Sequence, residues 1–300
     1  MKRTRSILSV PGHQPKMHEK AAGSRADVVM LDLEDSVPLS EKASARQRAV
    51  DSVRRLEWPD KTVSCRINGV DTPFAHVDLV DLVAGAGDKI NSIVVPKVDN
   101  AGDIHFVDRL LSGVESRMGI HRRIGIEASI ESARGMAAIA EIARASGRIT
   151  SLVFGIADYS ASVGAPLISI SGHGEQEDDI AAGHRWHFAM SRVVMTAKSV
   201  GIRAIDAPYG HFRDMPGLEK SARMSRHMGF DGKWAIHPDQ IDTINAVFSP
   251  TKEELERARK VLAAYEQAQK EGRGAVAVDG RMVDQATIRL AEMTIVQSNK

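Results

Sequence analysis

Short β-branched runs recur along the chain, and each is followed by a longer stretch in which apolar residues return at helical spacing. The strand candidates are Arg5–Val10, Asp27–Leu33, Thr62–Ile67, Ser92–Pro96, Arg123–Glu127, Ser151–Gly155, Gly201–Ile205 and Lys233–Ile236. Between them, Glu41–Leu56 sets Ala43, Val50, Val53 and Leu56 near one face. Ser132–Ala145 stops just ahead of Gly147, as a helix with a glycine cap does. Strands that alternate with helices imply βαβ units and a parallel sheet. Eight such repeats predict an α/β protein with a closed (β/α)8 TIM barrel over residues 1–249.

The pattern changes after the eighth strand. Thr251-Lys-Glu-Glu254 offers a capping box for a charged helix running to about Glu271. Gly272-Arg-Gly274 reads as a link to a last helix, Val283–Val296, with Ile288, Ala291 and Ile295 at helical spacing. Residues 250–300 are therefore expected to form a C-terminal helical appendage, or lid. The irregular stretch Gly164–Gly183 is long for a barrel loop, which points to function. Its acidic run from His173 to Asp179 has no fixed ligand spacing and carries no assigned role.

Composition narrows the classes. With 43% hydrophobic and 26% charged residues in 300, the chain is an ordinary globular one, not disordered, collagenous or coiled-coil throughout. Forty basic against thirty-nine acidic side chains give a net charge of +1, which argues against nucleic acid as a partner. The single cysteine, Cys65, excludes an internal disulfide or a thiolate metal cage. No apolar run approaches the roughly 18 residues that cross a bilayer. The stretch Ile7–Val10 is cut off by Pro11 and Gly12 before it could serve as a signal-peptide core. A cytoplasmic protein without a membrane partner is expected.

Barrels carry their chemistry at the C-terminal ends of the strands. Those ends hold Asp32, Glu34 and Asp35, then Arg66 and Asn68, Lys97, Glu127 and Glu131, Asp158, Asp206 and His237. Any one of these reads equally well as a solvated loop residue or a helix cap. Their coincidence favours one acidic mouth whose carboxylates converge on a cation, and an all-oxygen donor set suits Mg²⁺ or Mn²⁺. Arg66 and Lys97 beside it suit a small carboxylate-bearing substrate, which an arginine can grip at two points. Two-residue alternation turns Cys65 away from the face that carries Arg66. His184 and His187, either side of Trp186, read as active-site groups or as packing groups.

Six motifs occur in one order: Arg5-Ser-Ile-Leu-Ser-Val-Pro-Gly12, Leu31-Asp-Leu-Glu-Asp35, Val95-Pro-Lys97, Ile130-Glu-Ser132, Phe154-Gly-Ile-Ala-Asp158 and Gly232-Lys-Trp-Ala-Ile-His-Pro238. In these the chain resembles the HpcH/HpaI aldolase and citrate lyase β-subunit-like family of CoA-ester lyases. His184-Arg-Trp-His187 and Gly280-Arg-Met-Val-Asp284 resemble its malyl-CoA lyase branch most. The resemblance implies direct Mg²⁺ ligation by Glu131 and Asp158, with Glu34 and Asp35 holding metal-bound waters. It implies substrate binding and catalysis by Arg66, and a CoA-side contact from Lys20. Backbone contacts to substrate are implied at Ala157, Ile236 and His237. Asp284 matches a catalytic acid carried by the appendage over a neighbouring subunit's barrel, so a homotrimer or homohexamer is expected.

The implied reaction is reversible cleavage of a malyl-type 3-hydroxyacyl-CoA. Its products are acetyl- or propionyl-CoA and a 2-oxo acid, glyoxylate or pyruvate. A thioesterase, an aldolase acting on a free hydroxy acid, and a non-catalytic subunit of a larger lyase are the alternatives. The chain departs from the family pattern at Ser9 and Gln14, both on the CoA side.

Overall fold

A computed structural model describes residues 3–165, 185–272 and 276–298. The chain divides into two compact units, one spanning Thr4–Asn245 and the other consisting of Met1–Arg3 with the chain from Ala246 onward.

In the larger unit eight parallel strands close a barrel among the described residues. They are β1 (Ser6–Pro11), β2 (Val28–Asp32), β3 (Thr62–Arg66), β4 (Ser92–Val95), β5 (Gly125–Ile130), β6 (Ile149–Phe154), β7 (Arg203–Asp206) and β8 (Gly232–Ala235). Pairing of β1 with both β2 and β8 closes the ring. The helices in chain order are α1 (Pro15–Ala22), α2 (Lys42–Arg55), α3 (Ala75–Ala86), α4 (Ala101–Met118), α5 (Ala133–Ile142), α6 (Ile156–Ser162), α7 (His187–Ser199), α8 (Met215–Met228) and α9 (Gln240–Val247).

Pleating sorts the strand residues into two sets. Ile7, Val28, Met30, Val94, Val153, Ile205 and Trp234 form one buried cluster inside the ring. Leu31, Cys65, Ile93 and Ile126 pair in one row on the opposite, helix-facing side and are fully buried. Cys65 thus faces away from Arg66, as alternation requires. Burial pushes its thiol up to about 12, with the charge of Asp78 adding to the effect.

Two strand-end carboxylates are not at the mouth. Glu127 lies inside β5 and accepts hydrogen bonds from Ser92 Oγ at 2.6 Å and Ser151 Oγ at 3.0 Å within the barrel. Asp206 turns toward α8, where it meets the fully buried Lys233 Nζ at 2.6 Å and the Ser225 hydroxyl. Trp186 is buried, stacking edge-on against Tyr159 at 5.6 Å. His187 is exposed, while His184 and most of the 164–183 stretch lie outside the described residues.

His18 ties α1 to its neighbours. Its Nε2 donates to the Pro11 carbonyl at 2.9 Å, so the neutral ring leaves Nδ1 to accept from Ser52 Oγ at 2.7 Å. Burial holds its pKa below the ordinary histidine value. Above about pH 6.5 the ring is neutral folded and unfolded, and its contribution to stability is complete. Below that the unfolded chain takes up a proton that the folded ring resists, so stability falls with pH. Replacing His18 with Gln should flatten the dependence of melting temperature on pH from about 7 to about 5. An unchanged slope would refute this.

The smaller unit contains α10 (Lys252–Lys270), a hairpin of β9 (Val276–Val278) and β10 (Arg281–Val283), and α11 (Gln285–Ser298). The capping box forms: Thr251 Oγ1 accepts from Glu254 N at 3.1 Å and Glu254 Oε2 accepts from Thr251 N at 2.8 Å. Ala258, Val261, Val278, Val283, Ile288 and Ala291 are its core. The hairpin falls where a link and the start of a helix were expected. Its turn is Asp279-Gly280, at φ 50° and 72°. Asp-Gly is the sequence signal for a two-residue turn with both residues left-handed, so the hairpin was readable.

Candidate active site

The mouth of the barrel is built by the residues that leave each strand. β2 delivers Asp32, Glu34 and Asp35, β3 delivers Arg66, and the turn after β4 delivers Lys97. Glu131 follows β5 and Asp158 lies in the first turn of α6.

Arg66 organises the acidic side. Its Nε and Nη2 donate to the two carboxylate oxygens of Asp32 at 2.6 and 2.7 Å. Its Nη1 lies 2.9 Å from Glu34 Oε2 and 3.7 Å from Asp35 Oδ2. The guanidinium also stands 5.5 Å from the centre of the Trp234 ring. Burial opposes the Arg66 charge, but Asp32 outweighs it and raises the pKa. Asp32 is fully buried, yet the same pairing keeps its carboxyl below the usual range.

Lys97 spans the mouth. Its Nζ is 2.5 Å from Glu34 Oε1 and 3.3 Å from Asp35 Oδ1, while its backbone N–H donates to Glu131 Oε2 at 3.1 Å. Lys97 is left-handed at φ 51°, a conformation costly for a side chain with a Cβ and concentrated at functional sites. Burial pushes the Glu131 carboxyl up to about 7; Arg66 opposes the shift, and the negative charges of Glu34 and Asp158 reinforce it. Lys42 completes the set by donating to the Leu33 and Glu34 carbonyls at 2.8 and 2.7 Å.

Five carboxylates, Asp32, Glu34, Asp35, Glu131 and Asp158, therefore meet Arg66, Lys97 and Lys42 at one mouth. A further cation would relieve the repulsion from Glu34 and Asp158 that adds to the effect of burial on Glu131. Among the described residues no three His, Cys, Asp or Glu side chains are grouped to hold a metal unaided. That donor set fits Mg²⁺, which takes one or two protein carboxylates and completes its shell with water and substrate oxygens. Gly155 keeps the space clear, since a Cβ there would lie 2.1 Å from Glu131 Cγ and 2.7 Å from its Oε1. Gly155→Ala should displace Glu131 and weaken Mg²⁺ binding about tenfold or more, as measured by calorimetry. Unchanged affinity would remove Glu131 from the metal site.

The remaining predicted residues are placed as follows. His237 stacks on Phe212 with ring centres 4.8 Å apart, and Ile236 is exposed beside it. The backbone N–H groups of both donate to Gln240 Oε1 at 2.9 and 3.3 Å, and the His237 carbonyl accepts from the Gln240 N–H at 3.1 Å, so one residue fixes the turn that carries both carbonyls. Gln240 in turn donates to the Tyr209 carbonyl at 2.8 Å, fixing the β8 exit to the β7 exit. Ala157 is exposed in α6 and Lys20 is exposed on α1. Asp284 is exposed in the smaller unit, where it accepts from the Thr287 N–H at 2.9 Å ahead of α11. That bond holds its carboxyl below the usual range. Sequence reasoning gave Asp32, Gln240 and Lys42 no specific part. Their partners lie tens of residues away or are backbone atoms, and no local motif encodes them.

Comparison with known proteins adds relatives over nearly the whole length. The chain is 42% identical over 299 residues to an L-malyl-CoA/beta-methylmalyl-CoA lyase of Cereibacter sphaeroides, covering 98% of this chain and 94% of that one. It is 31% identical to a malyl-CoA/beta-methylmalyl-CoA/citramalyl-CoA lyase of Chloroflexus aurantiacus, over 97% of this chain and 86% of the other. A crystal structure of CitE from Mycobacterium tuberculosis in complex with magnesium, acetoacetate and coenzyme A superposes with a TM-score of 0.79 at 30% identity, covering 98% of both chains. The family model for HpcH/HpaI aldolase/citrate lyase matches residues 5–238, the span that contains every strand of the barrel and its mouth. With a barrel of the same architecture and relatives this near over their full length, the chain belongs to the HpcH/HpaI aldolase/citrate lyase family.

Proposed function

We propose that the protein is a Mg²⁺-dependent carbon–carbon lyase that reversibly cleaves a malyl-type 3-hydroxyacyl-CoA into an acyl-CoA and a 2-oxo acid. The observation that carries this reading is Glu131, raised by burial and further by its acidic neighbours, beside Asp158 and the Arg66–Lys97 cations. The relatives named above act on esters of that kind, and CitE was solved with magnesium, an oxo acid and coenzyme A.

Glu131 and Asp158 would hold the metal, with Glu34 and Asp35 orienting its waters. When bound, Mg²⁺ supplies Lewis acidity toward the hydroxyl and carboxylate oxygens of the acyl group. Arg66 places a fixed positive charge where the thioester oxygen becomes enolate-like as the carbon–carbon bond breaks. The carbonyls of Ile236 and His237, held by Gln240, orient the acyl portion, and Lys20 on α1 contacts the CoA side. Asp284 of a neighbouring copy exchanges the proton at the methyl carbon of the released acyl group. A neighbour's Asp284 calls for an oligomer, here a homotrimer or homohexamer as the family resemblance implies, and the free Cys65 fits a cytoplasmic setting. Among the described residues no helix is long and apolar enough to cross a membrane.

The test is a panel of malyl-, methylmalyl- and citramalyl-CoA assayed with Mg²⁺ and read for both 2-oxo acid and free CoA. Release of a 2-oxo acid with acyl-CoA supports the lyase. Free CoA without a 2-oxo acid identifies a thioesterase, and turnover of the free hydroxy acid identifies an aldolase. Activity only with added partner subunits marks a dependent subunit. Shared sites have their own test. Asp284→Asn and Glu131→Gln chains, each inactive alone, should regain part of the activity after subunit exchange. Exchange without recovery would place Asp284 outside the site.

A further inference from the structure

Arg66 is held on several sides before any ligand arrives. Asp32 takes the side-on fork made by Nε and Nη2, and the Trp234 ring lies 5.5 Å away. What remains is the outer end, where Nη1 already meets Glu34. Asp32 is itself pinned by the Glu34 N–H at 2.9 Å, the Ser36 N–H at 3.2 Å and the Ser36 hydroxyl at 2.5 Å. The guanidinium and the loop carrying Glu34 and Asp35 are therefore tied together through one carboxylate. Arg66 and Asp32 are also register partners on adjacent strands, so the barrel itself sets their spacing.

From this geometry we propose that Asp32 is a positioning residue that aims the outer end of Arg66 into the mouth, so that Arg66 meets the substrate there and not through the side-on fork. The proposal rests on the lyase reading above. Two consequences follow from the bonds. A substrate oxygen must share the outer end with Glu34, which suits one developing oxyanion better than a carboxylate clamped by the side-on fork. Lysine at position 66 would fail because an ammonium cannot hold Asp32 at two points and reach Glu34 as well.

The test is a double-mutant cycle on the full chain with Mg²⁺ and the malyl-type ester that it turns over. Asp32→Asn should lower kcat about 100-fold, the cost of misplacing a catalytic group by about an ångström, with KM little changed. In the Arg66→Lys background the same substitution should add nothing, because Asp32 acts through Arg66. Effects that multiply, or a folded Asp32→Asn enzyme with wild-type kcat, would overturn the proposal. Should Asp32→Asn fail to fold, Asp32→Glu keeps the charge and shifts the fork by one methylene, and the same kcat loss is expected. The Arg66 Nε–H gives a reading that needs no turnover: its solvent exchange, followed by NMR, should be slow in the wild type and fast in Asp32→Asn. Equal exchange rates in the two overturns the positioning role even if wild type cleaves no ester, an outcome that would by itself defeat only the lyase reading.

Discussion

Glu131→Gln and Asp158→Asn should each lower Mg²⁺-dependent turnover by about 10³-fold or more, since losing one ligand removes several kcal/mol of charge stabilisation. The fold should survive both. Glu131→Gln should also raise the melting temperature of the metal-free protein. At neutral pH the wild-type carboxyl, pushed up to about 7, sits buried among like charges, and an amide removes that repulsion while still accepting from Lys97 N–H. Loss of activity with a gain in stability is the signature of a group retained for chemistry. Full activity in either variant would move the metal site elsewhere, and a fall in melting temperature for Glu131→Gln would show that Glu131 supports the fold.

Arg148→Ala should have the largest effect on stability. Arg148 precedes β6, is nearly inaccessible, and donates from every nitrogen of its guanidinium. Nε meets Asp108 at 2.6 Å, Nη1 meets Glu115 at 2.8 Å and the Ile124 carbonyl at 3.1 Å, and Nη2 meets Ser112 at 2.9 Å and Glu115 at 2.5 Å. These bonds fasten α4 to the entry of β5 and β6. Removing one partner from a buried ionic network leaves the other charge unpaired and costs about 3–5 kcal/mol. For a unit of this size that lowers the melting temperature by about 10 °C. A shift of only about 2 °C would mean that solvent enters and satisfies Glu115. Activity should be intact below the transition, because the network lies at the strand entries, away from the mouth.

Strand number and order were legible because apolar pairs such as Val28–Val29 and Val94–Val95 stand out against amphipathic helices. The ends of strands were harder. β5 was expected over Arg123–Glu127 and runs Gly125–Ile130, because this barrel hides polar side chains in its interior. Glu127 looked like a terminus when it is a mid-strand residue satisfied by two serines from adjacent strands. Asp206 misled for the complementary reason: its cation, Lys233, is 27 residues away and becomes a neighbour only when β7 pairs with β8. Strand ends and ordered motifs together pointed to Glu131, Asp158, Arg66 and Lys97 at one mouth, where the barrel has them side by side. What they could not convey was that Arg66 would already be engaged by Asp32, since that bond depends on register between strands, 34 positions apart.

Cys65 gives the molecule a built-in clock. It is the only thiol, lies beneath the helix layer with no accessible surface, and carries a proton far above neutral pH. A thiol reagent can modify the native protein only after the layer over β3 parts, so the rate of labelling at excess reagent measures how often the barrel opens. Any cysteine placed on the surface could then carry a fluorophore without competition from the native one.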